Sequence, residues 1–342
     1  MSLPSNYFGT GADGDVTIVN NTSLSATIDG DYIVKNYRNL TINSGYYLTT
    51  NNRCKGLFIY VKDDCIINGT LKMDVRGASG DPSGTVSATG IRLPMLKSGD
   101  TETLSAADFA GCGSAIISAV ANQGAISGNG VILTIARVGG LGPSGRGSQG
   151  VGANGGTAVD GTGGGGAGGY YVYENADSGD GGDGTCWSGG AAGGGAYSEY
   201  SGGNGSDTGG AGGNSNGWAG GGAGNPGGTA GGSGGDGDDG TGGIIWLIVG
   251  GNLTIGSGGI ISAAGAEGGS GSGGGGGSGG GVIKIAYAGA LSNNGTISCT
   301  GGLYGGSTYR GGLGGAGSYE LIKVDYALST AIFRNFMMGR GL

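Results

Sequence analysis

Glycine supplies 94 of the 342 residues, and half of these fall in one block, 139–243. Each glycine held in regular structure costs about 0.5–1 kcal/mol more backbone entropy than an alanine would. A block this rich stays disordered unless something specific orders it. Yet the chain on both sides reads as β-structure. Residues 14–76 alternate apolar and polar side chains in short bursts at 16–19, 32–34, 39–42 and 57–61, punctuated by Asn-Ser-Gly, Asn-Gly-Thr and Asp-Gly. Period-two bursts between such turn signals predict strands. The fold therefore has to hold a field of glycine between two β segments.

Internal repeats narrow the β-class further. Asn39-Leu40-Thr41-Ile42-Asn43-Ser44-Gly45 returns as Asn252-Leu253-Thr254-Ile255-Gly256-Ser257-Gly258, and Cys65-Ile66-Ile67-Asn68-Gly69-Thr70-Leu71 has a counterpart in Leu291-Ser292-Asn293-Asn294-Gly295-Thr296-Ile297. Longer apolar runs precede them at 56–61, 243–249 and 281–287, and Leu253 and Leu291 each follow the glycine that opens such a run by ten residues. A unit of long strand, turn, short strand, Asn-Gly and short strand predicts one coil of a β-solenoid, which buries its apolar face only by stacking on its neighbour. A β-sandwich with ordinary hairpins is the alternative.

The predicted organisation is all-β: an elongated β-solenoid or β-helix carrying long glycine-rich insertions between coils. N-terminal coils occupy 1–84 and C-terminal coils 244–326, the latter with a smaller glycine-rich loop at 264–281. Residues 85–138 form a mixed segment with a strand and a helix at 104–122, opened by the capping-box-like Ser105-Ala106-Ala107-Asp108 and weakened by Gly111 and Gly113. The glycine-rich aromatic insertion is 139–243. Residues 327–342, with Phe333, Phe336, Met337 and Met338, form a cap over the solenoid end or an oligomerisation tail.

Three readings of the glycine block stand. Flexible Gly/Ser linkers rarely carry so many aromatic residues. Gly234-Gly235-Asp236-Gly237-Asp238-Asp239 fits a calcium-binding G-G-x-G-x-D repeat, but in one copy only. The third reading is extended polyglycine helices packed side by side. A left-handed helix of three residues per turn has no internal hydrogen bonds, so bare neighbours can satisfy one another's backbone groups. Gly209-Gly210-Ala211-Gly212-Gly213 and Gly231-Gly232-Ser233-Gly234-Gly235 have the local period this needs.

Composition excludes several function classes. No histidine is present, which removes Ser-His-Asp and Cys-His catalysis and histidine-ligated zinc. A net charge of −8 with few lysines argues against nucleic acid, because phosphate binding needs clustered cations. The best apolar run, 244–249, is too short to span a bilayer. The five cysteines (Cys54, Cys65, Cys112, Cys186, Cys299) are dispersed and read as reduced thiols. Met1-Ser2-Leu3-Pro4 lacks the basic and apolar regions of a secretory signal, so synthesis in the cytoplasm is expected. Glycine patterns resembling phosphate loops arise by chance at this abundance, and no cofactor is expected.

Two sets of residues remain as candidates. Carboxylates in or near the aromatic loops (Glu174, Asp177, Asp180, Asp183, Glu199, Asp236, Asp238, Asp239) keep glycoside cleavage open, but no spacing singles out an acid and a nucleophile. The aromatic set is Tyr170, Tyr171, Tyr173, Trp187, Tyr197, Tyr200 and Trp218. Aromatic rings among small residues give large, rigid contact area at low entropic cost. These seven are the candidate ligand-binding residues, divided between binding and packing.

The opening Phe8-Gly9-Thr10-Gly11-Ala12-Asp13-Gly14-Asp15-Val16-Thr17-Ile18 resembles the start of phage and prophage tail-fibre or receptor-binding proteins, as does the run from Tyr37 through Leu40-Thr41-Ile42-Asn43-Ser44-Gly45. The later glycine-rich blocks broken by aromatic residues are similar to those of the glycine-rich distal adhesins of tailed phages. The resemblance covers most of the chain as pattern. It implies a non-enzymatic adhesin at the virion tail that recognises bacterial cell-surface glycan or protein, alongside other tail proteins. Such proteins are often trimeric, which makes a homotrimer an option, although the chain shows no heptad stalk. The alternatives are a tailspike-like depolymerase and a structural surface protein without a specific ligand.

Overall fold

The computed structural model describes residues 8–28, 30, 33–54, 56–77, 214–215, 218–224, 227–306 and 311–324, and the backbone of four further strands between 91 and 126. Every regular element among the described residues is a strand. The first eight are β1 (Asp15–Ile18), β2 (Thr22–Leu24), β3 (Ile33–Tyr37), β4 (Asn39–Ile42), β5 (Tyr47–Thr50), β6 (Leu57–Val61), β7 (Cys65–Ile67) and β8 (Thr70–Lys72). Two antiparallel hairpins follow, β9 (Ile91–Pro94) with β10 (Thr101–Leu104) and β11 (Ser118–Val120) with β12 (Gln123–Ile126). The last seven are β13 (Ile244–Val249), β14 (Leu253–Ile255), β15 (Ile260–Ser262), β16 (Val282–Tyr287), β17 (Leu291–Asn293), β18 (Thr296–Ser298) and β19 (Ser318–Lys323).

Apart from the hairpins, the strands form three parallel five-stranded sheets. Their orders are β1-β4-β7-β14-β17, β2-β5-β8-β15-β18 and β3-β6-β13-β16-β19. The chain visits the three sheets in the same sequence five times, and each strand pairs with its equivalent one circuit earlier. Leu253 pairs directly with Leu291, and the long strands opened by Gly56, Gly243 and Gly281 are neighbours in the third sheet.

The sequence pattern follows from this arrangement. In the first sheet burial alternates, as in β4 and β14, because one face meets the core and the other meets solvent. In the third sheet β6 and β13 are buried at every residue. That is the continuous apolar run expected of a parallel strand covered on both faces. The core between the sheets includes Leu40, Ile42, Leu48, Leu71, Leu247, Val249, Leu253 and Ile285.

A ladder of short polar side chains fastens successive circuits between the third and first sheets. The Asp15 carboxylate accepts from Asn39 Nδ2 at 2.9 Å, and Asn39 Oδ1 accepts from the Asp64 amide at 3.0 Å. Asp64 Oδ1 accepts from the Asn252 amide at 2.7 Å, and Asn252 Oδ1 from the Ala290 amide at 2.9 Å. The last three rungs supply the acceptor that a backbone amide leaving the third sheet would otherwise lack. Asp64→Ala is expected to cost about 1 kcal/mol, read as a lower urea midpoint with unchanged slope.

The described glycine-rich segments leave by one corner, between the second and third sheets. The connection there runs 25–32 and 51–56 in the first two circuits, 73–243 in the third, then 263–281 and 299–317. The long insertion thus lies between the β6-β7-β8 unit and the β13-β14-β15 unit. Its ends are tied at the neck by Gly77 N–H to the Thr241 carbonyl and Gly243 N–H to the Met73 carbonyl, both 2.9 Å. Asp74 adds a clamp to the next circuit, accepting from Ser262 Oγ at 2.8 Å and from the Ala264 amide at 2.7 Å.

The helix expected at 104–122 falls for its greater part outside the described residues. Its ends are strand instead: Leu104 closes β10 against Ile91, and Val120 pairs with Gln123. Antiparallel pairing there takes the backbone groups that a helix would have used. The expected tail at 327–342 also lies outside the described residues.

Cys54, Cys65 and Cys299 are buried free thiols, as dispersed reduced cysteines should be. Burial pushes Cys65 and Cys299 up to about 12, and burial followed by the nearby Asp13 charge does the same to the Tyr37 phenol. The folded state therefore holds these protons more tightly than the unfolded chain, whose thiols and phenols ionise near 9.0 and 10.0. Stability from this source is complete below the unfolded values and is lost as pH rises through the folded ones. Urea midpoints are expected to hold up to pH 9 and to fall progressively towards pH 12.

Candidate binding surface

Beyond the corner, the described glycine-rich segments lie against one another as a lattice. They are 219–224, 227–231, 234–243, 263–269, 273–281, 299–305 and 311–317. Backbone bonding within it repeats every three residues. Along 273–281, the amides of Gly275, Ser278 and Gly281 donate to the carbonyls of Gly269, Ala266 and Ala263 at 3.0, 3.0 and 2.8 Å. The amides of Gly277 and Gly280 donate to Gly312 and Gly315, both at 3.0 Å. The carbonyls of Gly273, Gly276 and Gly279 accept from Gly220, Ala223 and Gly242 at 2.8, 2.9 and 3.0 Å. Residues three apart thus face the same side, and successive residues face different neighbours.

Glycine is what permits this spacing. A Cβ on Gly302 would lie 1.6 Å from the Ala266 carbonyl oxygen, and one on Gly274 would lie 1.7 Å from that of Gly305. Ser278 and Thr241 are fully buried polar residues within these described segments, and Ser278 is bonded into the lattice by its side chain. Its hydroxyl accepts from the Ala266 amide at 2.7 Å and donates to the Gly240 carbonyl at 2.8 Å, so it belongs to the same network.

Of the seven aromatic candidates, the structure describes Trp218; Tyr170, Tyr171, Tyr173, Trp187, Tyr197 and Tyr200 lie outside the described residues. Trp218 is 58% exposed, and it stands where segment 219–224 begins. Its backbone is held on both sides. The Trp218 carbonyl accepts from the Ser272 amide at 2.8 Å, and the following Ala219 is fully buried, its carbonyl accepting from Ser215 Oγ at 2.5 Å. Ser215 Oγ in turn accepts from the Gly231 amide at 2.9 Å, and Asn214 Oδ1 accepts from the Thr229 amide at 2.9 Å. An exposed indole on so fixed a backbone presents a flat apolar surface with little entropy left to lose on binding.

Sequence reasoning passed over the residues around this indole. Ser270 and Ser272 form the turn midway through 263–281, and both are exposed beside the Trp218 backbone. The signal available was the Ser-Gly-Ser interruption of the glycine run.

Of the loop carboxylates that the structure describes, Asp238 is exposed, and Asp236 and Asp239 cap backbone amides. Asp236 Oδ1 accepts from the Ala230 amide and Asp239 Oδ1 from the Gly227 amide, each at 2.7 Å. Glu174, Asp177, Asp180, Asp183 and Glu199 lie outside the described residues. Among the described residues no three acidic or cysteine side chains gather as a metal site would require. No family model, curated protein or solved structure matches the chain.

Proposed function

We propose that the chain is a receptor-binding adhesin of a phage or prophage tail. In this reading the three sheets are the sides of a five-coil β-solenoid. The glycine-rich segments are three-residue-per-turn polyglycine helices packed beside it, and aromatic residues in their connecting loops bind bacterial surface glycan or protein. The observation that carries the reading is the exposed Trp218 on a backbone locked into the glycine lattice. A lattice whose segments meet largely backbone to backbone is a rigid stand, and variable loops mounted on it can change without disturbing the frame. The three-residue repeat of the backbone bonds supports the polyglycine helices, and the five equivalent circuits support the solenoid. Copies arrayed on one particle would add avidity to weak individual contacts.

A depolymerase needs two carboxylates facing one glycosidic bond. Asp236 and Asp239 are instead engaged with backbone amides, which favours binding over cleavage. Trp187→Ala and Trp218→Ala are expected to reduce binding to susceptible cells at least tenfold with unchanged melting curves. Undiminished binding by both variants would remove the aromatic loops from the account.

A further inference from the structure

Two corners of the frame carry the same three residues in different surroundings. Asn68-Gly69-Thr70 links β7 to β8 in the third circuit, and Asn294-Gly295-Thr296 links β17 to β18 in the fifth. An asparagine followed by glycine is open to spontaneous ring closure, because glycine puts no side chain beside the backbone nitrogen that attacks the asparagine side-chain carbonyl. The fold decides whether that nitrogen and that side chain are free to meet.

At Asn68 both are held. The Asn68 and Gly69 amides donate to the Ile42 carbonyl, each at 2.9 Å. Asn68 Oδ1 lies against Gly256 of the next circuit, 2.3 Å from where an added Cβ would sit. Gly69 itself is buried against the Asn43 and Tyr46 carbonyls. Freeing this corner means opening the circuits on either side of it. At Asn294 the hold is slight. The residue is exposed, and its Nδ2 reaches Ser292 Oγ only at 3.4 Å. The Gly295 amide donates to Asn293 Oδ1 at 3.2 Å, and that exposed side chain is free to swing aside. Among the described residues β17 and β18 are edge strands, and terminal repeats open more readily than interior ones.

We propose that Asn294 is a site of spontaneous deamidation, at which the chain modifies its own last circuit with water as the co-reactant. The Gly295 nitrogen gives up its proton to solvent base and forms a bond to Asn294 Cγ. The Cγ–Nδ2 bond breaks, and Nδ2 takes up a proton and leaves as ammonia. Water then opens the resulting five-membered imide at either carbonyl, which leaves aspartate or isoaspartate. Nothing is oxidised or reduced. Both products add a negative charge at the corner. Isoaspartate also adds a backbone carbon just before Thr296, whose amide bonds the Gly259 carbonyl at 2.9 Å and which opens the pairing of β18 with β15.

The test incubates the full chain at pH 7 and pH 9, folded and in concentrated urea, and follows the peptides holding Asn68 and Asn294 by mass spectrometry with fragmentation. Exchange of ammonia for water raises a peptide's mass by about one unit. In the folded chain Asn294 is expected to convert at least tenfold faster than Asn68, faster at pH 9 than at pH 7, and to yield both products. In urea the two sites, each followed by Gly-Thr, are expected to convert at similar rates. Asn294→Gln, which would need a six-membered ring, is expected to stop the change at this position. Conversion of Asn294 no faster than Asn68 in the folded chain overturns the proposal, as does aspartate as the sole product. A difference that persists undiminished in urea overturns it too, since the cause would then lie in the sequence and not in the fold.

Discussion

Gly302→Ala is expected to destabilise the protein by about 3 kcal/mol or more, lowering the melting midpoint by roughly 5–10 °C. The added methyl would sit 1.6 Å from the Ala266 carbonyl oxygen, a backbone atom that cannot swing aside. Relieving the overlap means separating two glycine segments. That loosens the bond from the Gly302 amide to Ser278 at 2.8 Å and the one from the Gly314 amide to Gly302 at 2.9 Å. Two controls isolate the cause. At Gly258 the nearest atom to an added Cβ is 3.7 Å away, so Gly258→Ala is expected to be neutral or to stabilise by about 0.5 kcal/mol through the unfolded chain. At Gly45 the space is open but φ is +84°, so Gly45→Ala should lose about 1–2 kcal/mol to backbone strain alone. Thermal scans of the three variants check the ranking, and a Gly302→Ala loss no larger than that of Gly45→Ala would mean that the lattice is not close-packed.

Leu247→Ala is expected to cost about 2–5 kcal/mol. Leu247 is fully buried at the centre of β13, flanked in register by Ile59 on β6 and Ile285 on β16. The cavity would open in the sheet to which the long insertion returns. Because Gly243, immediately before β13, is bonded to Met73 at the neck, the lattice is expected to loosen with the frame in a single transition. Ile66→Ala, on the outward side of the first sheet and 37% exposed, is the surface control and should change stability by less than about 1 kcal/mol. Chemical denaturation separates the two variants, and a loss at Leu247 no greater than at Ile66 would contradict a shared core.

Much of the frame was legible before the structure. The alternation at 39–42 marked β4 correctly, and the repeated Asn-Leu-Thr-Ile motifs at 39 and 252 occupy equivalent places in the first sheet. Equal spacing from an opening glycine brought out Leu253 and Leu291, which pair directly. The ladder was not legible. Asp64 and Asn252 are 188 residues apart in sequence, and each alone looks like an ordinary turn residue. Nor could glycine report its neighbours, since no side chain records whether Gly277 bonds Gly312 or solvent. The period of three was visible in 231–235, but the partners came only from the fold. Trp218 was singled out as a candidate from its type and setting, and the structure places it exposed. The serines around it gave no comparable signal.

The account rests on selective attachment to cells without chemistry on the surface. The most direct test incubates the labelled full chain with a panel of bacterial strains and assays both cell-bound label and sugar released into the supernatant. The account predicts saturable binding to a subset of strains and no released oligosaccharide. Released oligosaccharide, or no binding to any strain of a broad panel, would contradict it.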